Sequence, residues 1–283
     1  MRARFSAAIL LVMLGAAAMQ PLHAQAPADR MKVIRAAAEA LGMARFSDIG
    51  AANVRLPGID IINTMEFVAS GTSDMGGRTV KTDYHAALGY NPAAIRVEMT
   101  RTPDGGAAQH TIQTVRETWA WDESQIGGGL VPGKGTATAM NGAAQERMLQ
   151  LWTLPYGVVK AAIFAGDKTT VSSEGGATVL TFPLSGSLAG VTVKATLDAK
   201  NLVTKVETRP DNAARANLAT ETEYSNYADR AAEVLTDVKS PGHIVRKQGG
   251  RTVLDITVKS WEANDPYLVF PVPPNVKSAP SSR

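Results

Sequence analysis

From residue 191 onward the chain alternates, and that alternation constrains everything else. Val191, Val193, Ala195 and Leu197 fall on one side of an extended chain and Thr192, Lys194 and Thr196 on the other, because successive side chains of a strand point to opposite faces. Asp198-Ala199-Lys200-Asn201 supplies a turn, after which Leu202, Thr204, Val206 and Thr208 alternate with Lys205, Glu207 and Arg209. The period returns over residues 220–227 and 252–261, where Leu254, Ile256 and Val258 oppose Asp255, Thr257 and Lys259. One apolar face and one polar face at period two specify half-buried antiparallel strands. An apolar sheet face must be covered, so the remainder of the chain has to supply a second layer.

Two regions can supply it. Residues 27–42 predict a helix: Met31, Ile34, Ala38 and Leu41 recur at spacings of three and four, Pro27 suits its start and Gly42 its C-terminal cap. Residues 143–164 predict a second helical region divided by Pro155, one helix ending near Leu154 and the next starting at Pro155. Lys160 is the one charge between Leu151 and Phe164. A segment so apolar all round is expected inside the sheet or across its mouth.

Further strands are expected at 80–90, 94–100, 109–121, 169–171 and 178–183, with weaker ones within 46–73, around Val54 and 61–68. Residues 125–142, rich in Gly, Ala and Thr, read as a long surface loop. The total is roughly ten strands and three helices, with the helices at the start and middle rather than alternating with strands. The expected fold is α+β: a strongly curved antiparallel sheet, an incomplete barrel, wrapped around helices. Residues 27–275 form its single domain. The chain after Pro271 is expected to fray, and residues 276–283 form a flexible tail.

Arg2 and Arg4, the apolar run 7–19 and the small residues around Ala24 and Ala26 have the layout of a secretory signal peptide over residues 1–26. Cleavage is expected after Ala24, and the mature protein is expected in the periplasm with no stable membrane anchor. Without Arg2 and Arg4 the formal charge falls from +3 to +1. That leaves almost no net field to draw nucleic acid from a distance. With no cysteine, the chain has no disulfide, thiol nucleophile or thiolate metal site.

The candidate chemistries are thin. Gly128 to Gly135 approximates a phosphate-binding loop, but Gly135 stands where the hydroxyl residue would hold magnesium. A flexible surface loop is the better reading. His85, His110 and His243 are too far apart in sequence for the paired spacing of zinc sites, so no metal and no cofactor are expected. No Gly-x-Ser-x-Gly elbow occurs. Glu221 and Glu223 share the polar face of one strand, which suits a solvated face. Trp119 and Trp121 share one side of a strand, and Trp152, Tyr156, Val159 and Phe164 lie in the apolar helical region. Together these six are the candidate walls of an apolar ligand cavity, weighed against ordinary core.

Residues 201–208 (Asn-Leu-Val-Thr-Lys-Val-Glu-Thr), Glu223-Tyr224-Ser225-Asn226-Tyr227, His243-Ile244-Val245, residues 253–258, the Leu151-Trp152-Thr153-Leu154-Pro155-Tyr156-Gly157 core and Glu117 to Trp121 resemble one known domain. It is the N-terminal accessory domain of exported bacterial metallo-β-lactamase-fold hydrolases. The His-x-His-x-Asp-His zinc signature of those enzymes is absent, so their activity is not implied. Tyr224-x-x-Tyr227, then Leu254-x-Ile256-x-Val258 and Phe270-Pro271, also resemble periplasmic lipoprotein carriers of the LolA type. That likeness implies a curved sheet holding acyl chains in an apolar groove. The expectation is a non-catalytic binding or carrier domain for a lipid-like or other apolar ligand, with the Pro155 helix as lid or plug. The alternative is an interaction or scaffold domain that pairs with a separately encoded hydrolase.

Overall fold

The computed structural model describes residues 27–43, 62–229 and 238–279. The expected signal segment, the weak strand around Val54 and the end of the expected tail lie outside the described residues. In chain order the elements are α1 (Pro27–Ala40), β1 (Thr64–Met75), β2 (Arg78–Tyr90), β3 (Ala93–Thr102), β4 (Gln109–Arg116), β5 (Trp119–Glu123) and β6 (Ala137–Ala139). Then come α2 (Ala144–Thr153), α3 (Pro155–Ala165), β7 (Thr170–Glu174), β8 (Ala177–Pro183), β9 (Val191–Leu197), β10 (Val203–Pro210) and β11 (Thr220–Ser225). Last among the described elements are β12 (Ala228–Asp229), β13 (Lys239–Ser240), β14 (His243–Gln248), β15 (Arg251–Ala263) and α4 (Pro274–Lys277).

Thirteen strands form one antiparallel sheet in the order β6-β5-β4-β3-β2-β1-β15-β14-β11-β10-β9-β8-β7, and β12 pairs with β13 apart from it. The sheet is two meanders sewn together where β1 meets β15, with Phe67 opposite Trp261. The helical pair α2–α3 is the connection from one outermost strand, β6, to the other, β7. The α+β class and the antiparallel sheet are as expected; the incomplete barrel is not. The sheet is open, neither closed nor strongly curled, and its two ends are blunted rather than joined. On one side β6 is three residues long, and Asn275 Nδ2 donates to its Ala137 carbonyl at 2.8 Å. On the other, β7 is short and runs beside α1, where Arg30 and Asp167 pair at 2.6 Å. Strands turn sharply at bulges, and along the main sheet the register slips only at Val68/Ala69, Val203/Lys205 and Arg246/Lys247.

The alternation read from the sequence decides which face is covered. Met65, Phe67 and Ala69 of β1, Leu254, Ile256 and Val258 of β15 and Val191 to Leu197 at alternate positions are buried, and they pack with α1, α2 and α3 in one core. An aromatic column runs through it. Tyr84 stacks on Phe67 at 5.7 Å, Phe67 on Trp261 at 4.6 Å, and Trp261 meets Tyr156 of α3 at 5.9 Å. Helix α1 ends as the sequence predicts: Gly42 takes φ +73°, and the amides of Gly42 and Met43 return to the Glu39 and Ala38 carbonyls. The break at Pro155 is also as expected. Leu154 is extended, Pro155 opens α3, and the two helices bend by 97°. Arg147 pins α2 to the sheet, donating to the Thr114 and Trp121 carbonyls at 3.1 and 2.7 Å and to Asp122 at 2.5 Å.

Further expectations are corrected: within the expected loop 125–142, Ala137–Ala139 pair with β5 as β6. Residues 109–121 are not one strand but the hairpin β4–β5, turned at Glu117, whose φ is +54°. The chain after Pro271 does not fray at once: Val272 and Val276 are buried against Trp121 and Ala137, while Phe270 packs on Ala87 and Ala94. This segment covers the outer face of β2–β6, so the sheet is clothed on both sides at that corner.

Candidate functional site

The structure separates the six aromatic and apolar candidates. Trp119 and Trp121 do share one side of β5, but it is the side turned away from α2 and α3 and under the C-terminal segment. There the Trp121 Nε1–H donates to Glu123 at 2.8 Å. Tyr156 and Val159 are fully buried in the main core, and the Tyr156 hydroxyl donates to the Lys239 carbonyl at 2.5 Å. Trp121 borders only a small space of about 20 Å³ under the C-terminal segment, whereas Trp152 and Phe164 line a much larger cavity.

That cavity is a groove of about 460 Å³. Helix α2 contributes Met148 and Trp152, one turn apart; α3 contributes Ala161, Phe164 and Ala165; β2 ends in it with Tyr90; and Pro183 at the end of β8 closes it together with Leu184 and Leu188 of the following segment. Trp152 meets Tyr90 at 5.8 Å and Phe164 edge-on at 6.1 Å. Gln145 holds the closing segment to α2 through the Ser187 carbonyl at 2.8 Å. Phe164 remains 69% exposed and extends the apolar lining of the groove to its open side. Beneath the groove Lys160 is buried, with its Nζ 4.6 Å from the Tyr90 ring centre. Burial lowers its pKa to about 8.

The other candidates resolve into local structure. His85 binds Glu66 at 2.5 Å and Glu98 at 3.2 Å, His110 lies 3.1 Å from Thr100, and His243 lies 2.7 Å from Asp255 and 3.5 Å from Ser225 Oγ. The imidazoles do not converge, and no group of three or more His, Cys, Asp or Glu able to hold a metal occurs among the described residues. Ser225, His243 and Asp255 have the order of a catalytic relay, but they lie on three adjacent strands of the solvated face, where a cross-strand polar ladder accounts for them. Glu221 and Glu223 form a similar ladder with Lys247, at 3.2 and 2.6 Å. The Lys247 ammonium, through its hydrogen bond, holds the Glu223 carboxyl below its ordinary range. In the glycine-rich loop the amides of Gly128, Gly129, Leu130 and Lys134 bond back to carbonyls of the same loop. Glu123 accepts from the Gly127 amide at 2.6 Å, so those amides do not form an open phosphate cradle.

No family model matches the chain, and no curated protein matches it. Among solved structures, the chain is similar to a crystal structure of a DUF1329 family protein from Desulfovibrio piger. The two share 7% identity and a TM-score of 0.46, over 83% of this chain and 93% of that one. This is a distant likeness of fold, from which nothing is carried over to the site. The accessory-domain and LolA-type resemblances gain no support from these comparisons and rest on the sequence alone.

Sequence reasoning missed Tyr90, Met148, Leu184 and Leu188. Met148 was in reach, since it stands four residues before Trp152 on the same helical face. The other three come from distant turns and meet α2 only in space.

Proposed function

We propose that the protein is a non-catalytic binding or carrier module for a slender apolar, lipid-like ligand, acting in the periplasm after removal of its signal peptide and without a membrane anchor. The groove beside Trp152 carries this reading. Its volume falls in the range of roughly 300–1,000 Å³ typical of small-molecule sites, its walls are mainly apolar, with Glu117, Thr118, Ser185 and Ser187 among them, and Phe164 stands at its open side with most of its ring in water. The core around α3 and the central strands is closely packed, so this groove sits on the flank of the helical layer rather than within a barrel. Among the described residues no single helix is long and apolar enough to cross a membrane.

The test uses cis-parinaric acid, whose absorption overlaps tryptophan emission. Its fluorescence is expected to rise on binding, with transfer from Trp152, and oleate is expected to displace it. Phe164→Asp is expected to weaken binding at least about tenfold while leaving the melting temperature unchanged, because the ring is already exposed. Absence of binding, or binding indifferent to Phe164→Asp, overturns the reading. The exposed Phe164 ring also favours a second reading, a surface that docks an apolar segment of a protein partner such as a separately encoded hydrolase. Protein that carries no lipid after gentle purification and ignores parinaric acid would turn the assignment that way.

A further inference from the structure

Helix α2 has a second working face. Glu146, Leu149, Gln150 and Thr153, spaced as i, i+3, i+4 and i+7, line a different recess, about 290 Å³ in volume, between the helix and the sheet. Its floor breaks the pattern that built the core. On the covered face of β3 the series Ile95, Val97, Met99 is followed by Arg101; on β14 Ile244 is followed by Arg246; on β4 Val115 is preceded by Gln113; on β1 Phe67 and Ala69 lead to Gly71 and Ser73. Ser73, Arg101, Gln113 and Arg246 are thus polar on four strands where period two calls for apolar residues, and these four line the recess. Breaks in an otherwise consistent pattern are where functional sites are expected.

The recess is rich in donors that have few counter-charges among the described residues. Arg101 donates to Ser73 Oγ at 3.1 Å and touches Met99 Sδ at 3.2 Å, with no carboxylate in ion-pair range among the described residues. Arg246 has neither an ion pair nor a hydrogen bond among the described residues, and the side chains of Tyr84, Gln113 and Gln150 make no hydrogen bond there either. Two carboxylates border the recess. Asp74 is taken by Arg251 at 2.7 Å, and Glu146 is exposed on the first turn of α2. The local balance is therefore two guanidinium groups against one uncommitted carboxylate, an excess of about one positive charge.

We propose that this recess binds a small monocarboxylate, its carboxylate between Arg101 and Arg246 and its apolar stem against Tyr84, Met99, Leu149 and Leu254. A planar guanidinium matches a carboxylate in a two-point fork. The strand amides around the recess are engaged in the sheet ladder, so it lacks the open backbone amides that favour phosphate. This site lies across α2 from the groove at Trp152 and stands independently of it.

Calorimetric titration of the whole protein with hexanoate, hexanol and inorganic phosphate tests the assignment. Hexanoate is expected to bind and to raise the melting temperature, hexanol and phosphate to bind more weakly. Arg101→Gln and Arg246→Gln are each expected to lower hexanoate affinity at least about tenfold, while Lys259→Gln, on the exposed face of β15, leaves it unchanged. Arg246→Lys, which keeps the charge and loses the fork, is expected to fall between wild type and Arg246→Gln and guards against a folding artefact. Hexanol binding as well as hexanoate, a preference for phosphate, or full affinity in a folded Arg246→Gln protein would each overturn the proposal.

Discussion

At Lys160 a single side chain carries a pH dependence for the whole fold. Only 2% of the residue is exposed, and burial lowers its pKa from 10.5 to about 8. Between those values the unfolded chain binds a proton that the native one does not, so stability rises with pH across that interval. Below about pH 8 both states are protonated and this gain is absent. The buried tyrosines set an opposing limit. Desolvation raises the pKa of Tyr84, Tyr90, Tyr156 and Tyr227 above the ordinary 10.0, so the unfolded chain loses those protons first and stability falls above that point. Thermal melts should therefore climb from about pH 8 towards 10 and then drop. Lys160→Met is expected to remove the climb and leave the drop.

Among the elements, the bend between α2 and α3 is the one that places both cavities. Its tightest point is Gly157, where an added Cβ would lie 2.3 Å from the Leu151 carbonyl oxygen and 2.9 Å from the Trp152 Cα. Backbone on both sides leaves little room to yield, so Gly157→Ala should destabilise by about 3 kcal/mol, as overpacking does. Chemical denaturation measures that loss, and quenching of Trp152 by acrylamide should increase with it. The break itself was legible, because a proline inside an apolar helical stretch has few other outcomes. The β4–β5 turn was not. Glu117-Thr118 has none of the Asn-Gly or Asp-Gly character of a two-residue hairpin, and the polar pair passes for continued alternation. The groove was half legible for a related reason. Trp152 and Phe164 announce themselves within one apolar stretch, whereas Tyr90, Leu184 and Leu188 look like turn residues until the fold brings them together. Arg101 and Arg246 were hidden more simply, since charges near strand ends are ordinarily read as solvated.

For the molecule as a whole, the decisive misreading concerned the C-terminus. Pro, Ser and Lys suggested a loose end, yet Phe270, Val272 and Val276 have places prepared for them. Ala87 and Ala94 are small where the outer face of β2 and β3 must admit Phe270, and that pair of alanines was the signal in the sequence. Truncation after Tyr267 removes the three buried side chains and exposes Trp121. It should cost roughly 4 kcal/mol as an upper value from area burial. A fall in melting temperature with a shift in tryptophan emission would register it; an unchanged melt would show the segment to be ornamental.

The pairing of β1 with β15 also sets a timetable. Phe67 waits for Trp261, so while the chain is being made β1 has a flank without its partner until β15 has emerged. Such distant partners slow assembly, and an unmatched flank invites the wrong neighbour. For a newborn copy of this protein the hazardous interval is therefore the wait before β15 arrives.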